Sequence, residues 1–258
     1  MNAPLAPAQV VTDQHRQEFQ ERGFFVLEKV LPEEHLALLR DRCQRFIDRA
    51  DADMDAKGVD SEGITHRNKR YFVSKCYQQE PSLGDFIFSP LMAEICRATI
   101  GDEASLFWDQ YVVKGPDPES HFSWHQDSGY VHLDCPMYLT CWVTLDDVDE
   151  TNGSVYVLPY DQIGIRTVVK HIKDPRYNDR VGYFGKEPGV PVVAPAGSIA
   201  VFSSYLFHRS GANMTDRMRR VYLAQYSSET IRRQDGEVWG QDVPFLREGK
   251  IVPQPGEA

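Results

Sequence analysis

Histidine and carboxylate side chains are the residues of this chain best spaced for metal chemistry. The triplet His125-Gln126-Asp127 closes the run Phe122-Ser123-Trp124. Successive strand side chains alternate faces, so His125 and Asp127 point the same way and can share one ion. Two histidines and one carboxylate form the facial triad of non-haem Fe(II) oxygenases, which leaves coordination positions open. A second H-x-D triplet, His132-Leu133-Asp134, runs straight into Cys135-Pro136. A turn-making proline beside it suits a ligand geometry poorly, so His125-Asp127 is favoured and His132 reads as a loop or strand-edge histidine.

The third ligand has to come from far along the chain. His208 sits in AVFSSYLFHRSGANMTDRMRRVY, after one apolar run and before another, either as that ligand or as a core or edge histidine. Arg217, Arg219 and Arg220 follow, with Arg219 opening the next apolar run. A guanidinium projecting into a barrel needs a partner, because an unpaired buried charge is costly. Arginine pairs well with carboxylates. A dicarboxylate co-substrate meets that need, with one end on the metal and the other on Arg219.

Elements of the right kind must carry these groups. The chain has 258 residues and a net charge of −10, from 28 Lys+Arg against 38 Asp+Glu. The length suits a large single domain. The acidic excess argues against nucleic-acid and membrane-surface partners. No apolar run reaches the ~20 residues of a spanning helix, and the first residues lack a signal-peptide pattern. Five cysteines without a C-x-x-C pair exclude a fully paired disulfide framework and a thiolate zinc site, which fits a reducing, cytoplasmic setting.

Residues 1–11 read as a loose tail. Thr12 is placed to cap a helix that Gly23 ends, and Phe24–Leu27 has strand character. Pro32 and Glu33-Glu34 open a second helix, with Leu36, Leu39, Cys43 and Phe46 inward. The acidic stretch 48–62 reads as a solvated loop. Segment 66–75 is locally basic, either a wall against an anion or a plain surface strand. Residues 82–100 read as one helix ending at Gly101. Beyond 104, short apolar runs at 105–113, 121–125, 137–145, 154–158, 191–194, 198–202 and 219–227 suggest an antiparallel sandwich or barrel. Asn152-Gly153 between two such runs predicts a hairpin. A helical part at 12–101 is therefore expected to support a β-rich core at 102–230, with a C-terminal extension at 231–258, all in one domain spanning 1–258.

The motifs H-Q-D at 125–127, W-x-x-L-D-D-V-D-x-x-N-G at 142–153 and H-x-S-G-x-N-x-x-x-x-x-R at 208–219 together resemble the phytanoyl-CoA dioxygenase family. The resemblance spans roughly residues 15–228. It implies an Fe(II)- and 2-oxoglutarate-dependent oxygenase, using O2, on a double-stranded β-helix or jelly roll. By that resemblance His125, Asp127 and His208 are the iron ligands. Arg219, assisted by Ser210, meets the distal carboxylate of 2-oxoglutarate, and Gln110, Trp142 and Lys75 line its pocket. A carboxylate at 127, where related halogenases carry a small residue, favours hydroxylation of a small metabolite over halogenation. Epimerisation, desaturation and ring formation begin with the same hydrogen abstraction. The long connection 161–190 reads as a lid with substrate contacts from Arg176, Tyr177, Arg180 and Phe184, or as a mobile loop with no such role. The substrate is expected to be small, and anionic if the basic segments face it. A rival from another class is a non-catalytic metal-binding barrel acting as a sensor or interaction protein. That rival has no need of Arg219 and Ser210.

Overall fold

Strand and helix patterns meet at the N-terminus. In the computed structural model, which describes residues 9–119, 121–173 and 180–254, helix α1 (Asp13–Arg22) starts on the Thr12 capping box. It ends at Gly23, whose φ of 84° is the left-handed conformation glycine adopts freely. Val11, expected in a loose tail, is fully buried, and its amide donates to Glu94 Oε1. Strand β1 (Phe24–Leu27) follows, then helix α2 (Glu33–Lys57).

The stretch 48–62 departs from the solvated-loop expectation, because α2 runs through it to Lys57. Met54 is buried there, and Arg67 reaches Asp51, Asp55 and Asp60 at 3.8, 2.7 and 3.2 Å. One arginine thus gathers carboxylates that the local sequence presents as plain repulsion. Strands β2 (Ser61–Glu62), β3 (Thr65–His66) and β4 (Arg70–Ser74) follow. The 82–100 segment is not one helix. Short α3 (Cys76–Gln79) and α4 (Gly84–Ile87) precede a break at Ser89-Pro90, and α5 (Pro90–Thr99) restarts there. Proline at the first helical position cannot continue the preceding turn, and the Ser89 hydroxyl accepts from the Met92 amide.

Two antiparallel sheets then build the body. Eight strands make the jelly roll: β5 (Ala104–Lys114), β6 (Phe122–His125), β7 (Leu139–Thr144), β8 (Val155–Leu158), β11 (Val190–Pro191), β12 (Ile199–Ser203), β13 (Phe207–Ser210) and β14 (Arg219–Ser227). Helix α6 (Tyr160–Ile163) and the pair β9 (Ile172–Lys173) and β10 (Arg180–Val181) lie between β8 and β11. The order β12-β7-β14-β5 faces β11-β8-β13-β6. From β5 to β8 the chain changes sheet at every strand, and so does the run from β11 to β14. Strand β13, which carries His208, was not foreseen as a strand, because its four residues FHRS show no apolar run.

The larger sheet is extended by β1 on one edge and by β4, β3 and β2 on the other; β15 (Val243–Arg247) pairs with β5 and β16 (Lys250–Ile251). The part 12–101 is therefore more than helical support, since its strands complete both edges. Side chains alternate cleanly across this sheet. Cys141, Val143, Tyr222, Ala224 and Val201 join the core under the helices. Trp142, Val221, Leu223 and Phe202 join the core between the sheets. All five cysteines are free and buried.

Asn152-Gly153 does not close a hairpin. The flanking strands β7 and β8 lie in different sheets, so the turn carries the chain from one layer to the other. Gly153 needs its left-handed φ of 81° there. Among the described residues, no helix is long and apolar enough to cross a membrane.

Candidate metal centre and its cavity

Pairing of β6 with β13 sets His125 directly opposite His208. Their rings lie 4.2 Å apart. Gln126 stays extended, so Asp127 returns to the side of His125 at the start of a short 3-10 turn (Asp127–Tyr130). One ligand atom from each of His125, Asp127 and His208 lies within 4.8 Å of the others. Among the described residues, no other His, Cys, Asp or Glu group is arranged in this way. His132 and Asp134 stay outside it; the His132 ring meets the Arg232 carbonyl at 2.9 Å.

Hydrogen bonds orient all three groups. His125 Nδ1 faces the Ser123 carbonyl at 2.8 Å, and His208 Nδ1 faces the Leu206 carbonyl at 3.2 Å. A proton on each Nδ1 leaves Nε2 as the ligand atom. Asp127 Oδ2 accepts from Thr140 Oγ1 at 2.7 Å and from Gln225 Nε2 at 3.0 Å. That leaves Oδ1, which lies 3.4 Å from His208 Nε2. Burial, reinforced by the neighbouring His208, holds the His125 imidazole well below its ordinary pKa. It is therefore neutral, the form that binds metal. Two imidazole nitrogens and one carboxylate oxygen suit a non-haem iron(II) ion.

The same cavity, about 450 Å³, contains Arg219, Ser210, Gln110 and Trp142. Arg219 is 2% exposed. Its Nη2 donates to the Gly153 carbonyl at 2.8 Å, while Nε and Nη1 have no hydrogen-bond partner. The Ser210 hydroxyl also lacks one. Burial lowers the guanidinium to about 10, so it remains charged at neutral pH. A buried cation with two unused donors, and a hydroxyl lining the same cavity, leave room for a carboxylate. Trp142 covers the guanidinium at 5.6 Å.

The arginine run does not act as a cluster. Arg220 points to the other face and is held bidentately by Asp146 (2.6 and 2.9 Å), and the Arg217 side chain is 87% exposed. Lys75, from the basic segment, does not line the cavity, and its Nζ lies over the Trp108 ring instead.

The expected lid also turns out differently. No described residue of 161–190 lines the cavity. Phe184 is 70% exposed, and Arg180 donates to the Gly129 carbonyl. Arg176 and Tyr177 lie outside the described residues. This connection is strapped to the back of β6. Gln126 is fully buried, donates to the Thr167 and Tyr205 carbonyls, and accepts from the Val169 amide. His171 accepts from the Gln126 amide and fills space that a Cβ at Gly129 or Gly182 would occupy.

Several residues in or behind the cavity wall carry no local signal in the sequence. Thr140 and Gln225 are direct cross-strand partners of β7 and β14. Tyr130 packs edge-on against His125 at 5.5 Å. Trp108 and Trp239 also line the cavity. Two tryptophans in a chain with only four are a usable signal, but nothing local says which face they take.

Known proteins resemble this chain in sequence and in fold. A family model described as phytanoyl-CoA dioxygenase (PhyH) matches residues 19–221. "Phytanoyl-CoA dioxygenase 1" of Oryza sativa subsp. japonica is 21% identical over 284 residues, covering 97% of this chain and 99% of that protein. EvdO2 from Micromonospora carbonacea var. aurantiaca, solved with 2-oxoglutarate, superimposes with a TM-score of 0.65 at 24% identity, over 84% of this chain and 90% of that one. The epimerase SnoN, solved with Fe3+, alpha-ketoglutarate and nogalamycin RO, gives 0.66 at 19% identity, over 95% and 96%.

Proposed function

The chain belongs to the phytanoyl-CoA dioxygenase family, and from that premise we propose that it is an Fe(II)- and 2-oxoglutarate-dependent oxygenase that hydroxylates a small molecule. The observation that carries this reading is a pair of features in one cavity. The trio His125, Asp127 and His208 presents three ligand atoms to one point. A buried arginine with two idle donors lines the same space. A metal-storage barrel has use for the first feature and none for the second.

In this reading the trio holds iron(II) through two Nε2 atoms and Asp127 Oδ1. Arg219 and Ser210 hold the distal carboxylate of 2-oxoglutarate, with Trp142 and Gln110 as walls. Bound iron supplies the oxidation, coupling decarboxylation of 2-oxoglutarate by O2 to removal of a substrate hydrogen. The protein's own work is positional. Thr140 and Gln225 keep Asp127 Oδ2 occupied, so Oδ1 is the free donor atom. Apolar walls such as Val112, Phe202 and Leu223 limit the water that reaches the site. Arg219 needs no reorganisation to receive its anion, because its Gly153 contact already fixes it.

Succinate release and substrate oxidation are the test. The Fe(II)-loaded protein, given 2-oxoglutarate, ascorbate and a metabolite panel, is expected to form succinate in proportion to a product that gains one oxygen atom from ¹⁸O₂. A product of unchanged mass identifies epimerisation instead. Absence of succinate with every metabolite tested, together with no binding of 2-oxoglutarate, rejects the oxygenase reading.

A further inference from the structure

The cavity opens to a mouth built partly outside the family-matched residues 19–221, since Trp239 lines it. The C-terminal extension folds back there as a hairpin. The Trp239 amide donates to the Ile231 carbonyl, the Arg233 amide donates to the Glu237 carbonyl, and Arg232 bridges Val238. Asp235-Gly236 forms the tip, with a left-handed φ of 87° at Gly236.

Its base is fixed. Ile231 is buried with Phe107, Cys135 and Tyr138. The Gln241 amide donates to the Phe107 carbonyl at 2.9 Å, and Arg232 supplies the carbonyl that meets His132. The hairpin thereby delivers Trp239 to the cavity wall, on the same apolar cluster as Trp108. Trp108 is the cross-strand partner of Gln225, whose amide holds Asp127. This aromatic wall therefore lies level with the trio.

Three rings of the mouth each carry a cation that stands outside the cavity lining. Lys75 Nζ lies 5.2 Å from the Trp108 centroid, Arg233 Cζ 5.2 Å from Trp239, and Arg180 Cζ 5.6 Å from Tyr130. None of these cations is in an ion pair among the described residues. Of the hairpin's acids, Asp235 accepts from the Glu237 amide within the turn, and neither lies within ion-pair distance of Arg233. Three cations without a carboxylate partner among the described residues thus gather around one opening of a chain of net charge −10.

We propose that hairpin 231–239 is the substrate-selecting wall of this site, and that the substrate is a flat, ring-bearing small molecule with an anionic group. This rests on the oxygenase reading above for why a substrate approaches the trio. Indole and phenol faces reward flat rings by stacking, and the rigid Trp side chain presents its area at low entropic cost. A flexible acyclic chain loses more freedom on immobilisation. Cations resting on the rings, outside the cavity lining itself, are placed for an anionic substituent that projects from it.

The test uses the full chain, Fe(II)-loaded and anaerobic, with 8-anilinonaphthalene-1-sulfonate as a flat aromatic anion. N-phenyl-1-naphthylamine serves as its uncharged counterpart and dodecanoate as an acyclic anion. The sulfonate is expected to bind at one site. Trp239→Ala should weaken it about tenfold and Trp239→Phe less. Arg233→Gln should weaken it about threefold while leaving the uncharged probe unaffected. Dodecanoate should displace it poorly. The 2-oxoglutarate absorption band, read in parallel, should persist in every variant. Unchanged sulfonate affinity in Trp239→Phe, Trp239→Ala and Arg233→Gln overturns the proposal, as does equal affinity for all three probes. If Trp239→Ala also loses the band, Arg233→Gln, at an exposed position, decides the matter. A band missing from the unmodified protein indicts the oxygenase reading and leaves the probe results to judge the mouth.

Discussion

At the scale of single residues, Asp127 is held by one oxygen so that the other is free. Thr140 and Gln225 both donate to Oδ2. Hydrogen bonds behind a ligand typically change metal affinity 10- to 100-fold. Thr140→Val and Gln225→Leu, close in volume, are each expected to weaken Fe(II) binding by about that factor in a competitive chelator titration; unchanged affinity in both contradicts the role. Arg219 gives a prediction of the opposite sign for stability. Its charge is buried without a counter-ion, and replacing such a group by an apolar one is often stabilising. Arg219→Met should raise the stability of co-substrate-free protein by about 1–3 kcal/mol in urea unfolding, while 2-oxoglutarate no longer raises its melting temperature. His125, Asp127, His208, Ser210 and Arg219 were legible in the sequence because each sits in a short motif with fixed spacing. Thr140 and Gln225 were not. They are 85 positions apart and meet only through the β7–β14 register, which no local pattern reveals.

At the scale of elements, the β6–β13 pair and the strap behind it decide whether the trio keeps its shape. Strand alternation through Gln126 was readable, and it gave the common face of His125 and Asp127. The other face of that alternation carries no motif of its own. Gln126 makes three hydrogen bonds to the 167–205 backbone from a fully buried position. Gln126→Ala leaves those backbone groups without partners, and each unsatisfied buried group costs about 1–3 kcal/mol. The expected loss is about 2–4 kcal/mol in urea unfolding, allowing for partial hydration, with faster proteolysis in 164–173. A loss near zero contradicts the strap. The long connection looked like a lid because length and basic-aromatic composition were its only visible traits. The acidic segment 48–62 looked like a loop for a similar reason, since the cation that gathers its carboxylates, Arg67, lies in a later segment. Asn152-Gly153 is a true turn, but a turn does not say whether its two strands share a sheet.

At the scale of the whole molecule, helices cover one face of the larger sheet and the smaller sheet covers the other. Both faces of β7 and β14 are therefore dry. Four thiols, Cys43, Cys76, Cys96 and Cys141, lie in the core under the helices. Burial pushes Cys43 up to about 12 and the other three above the ordinary thiol value as well. The unfolded chain gives up these protons near pH 9, whereas the folded chain keeps them. Stability is thus fully present below that pH and falls as pH rises above it, by up to about 1.4 kcal/mol per pH unit per thiol. Urea unfolding at pH 8 and pH 10 should show the loss, and equal midpoints contradict it.

The central claim is that the trio and Arg219 together make one site for iron and 2-oxoglutarate. Anaerobic titration of the Fe(II)-loaded protein with 2-oxoglutarate tests it most directly. A visible charge-transfer band should grow to saturation at one equivalent, and Arg219→Met should move its midpoint at least about tenfold higher. No band, or a midpoint indifferent to Arg219, contradicts the account.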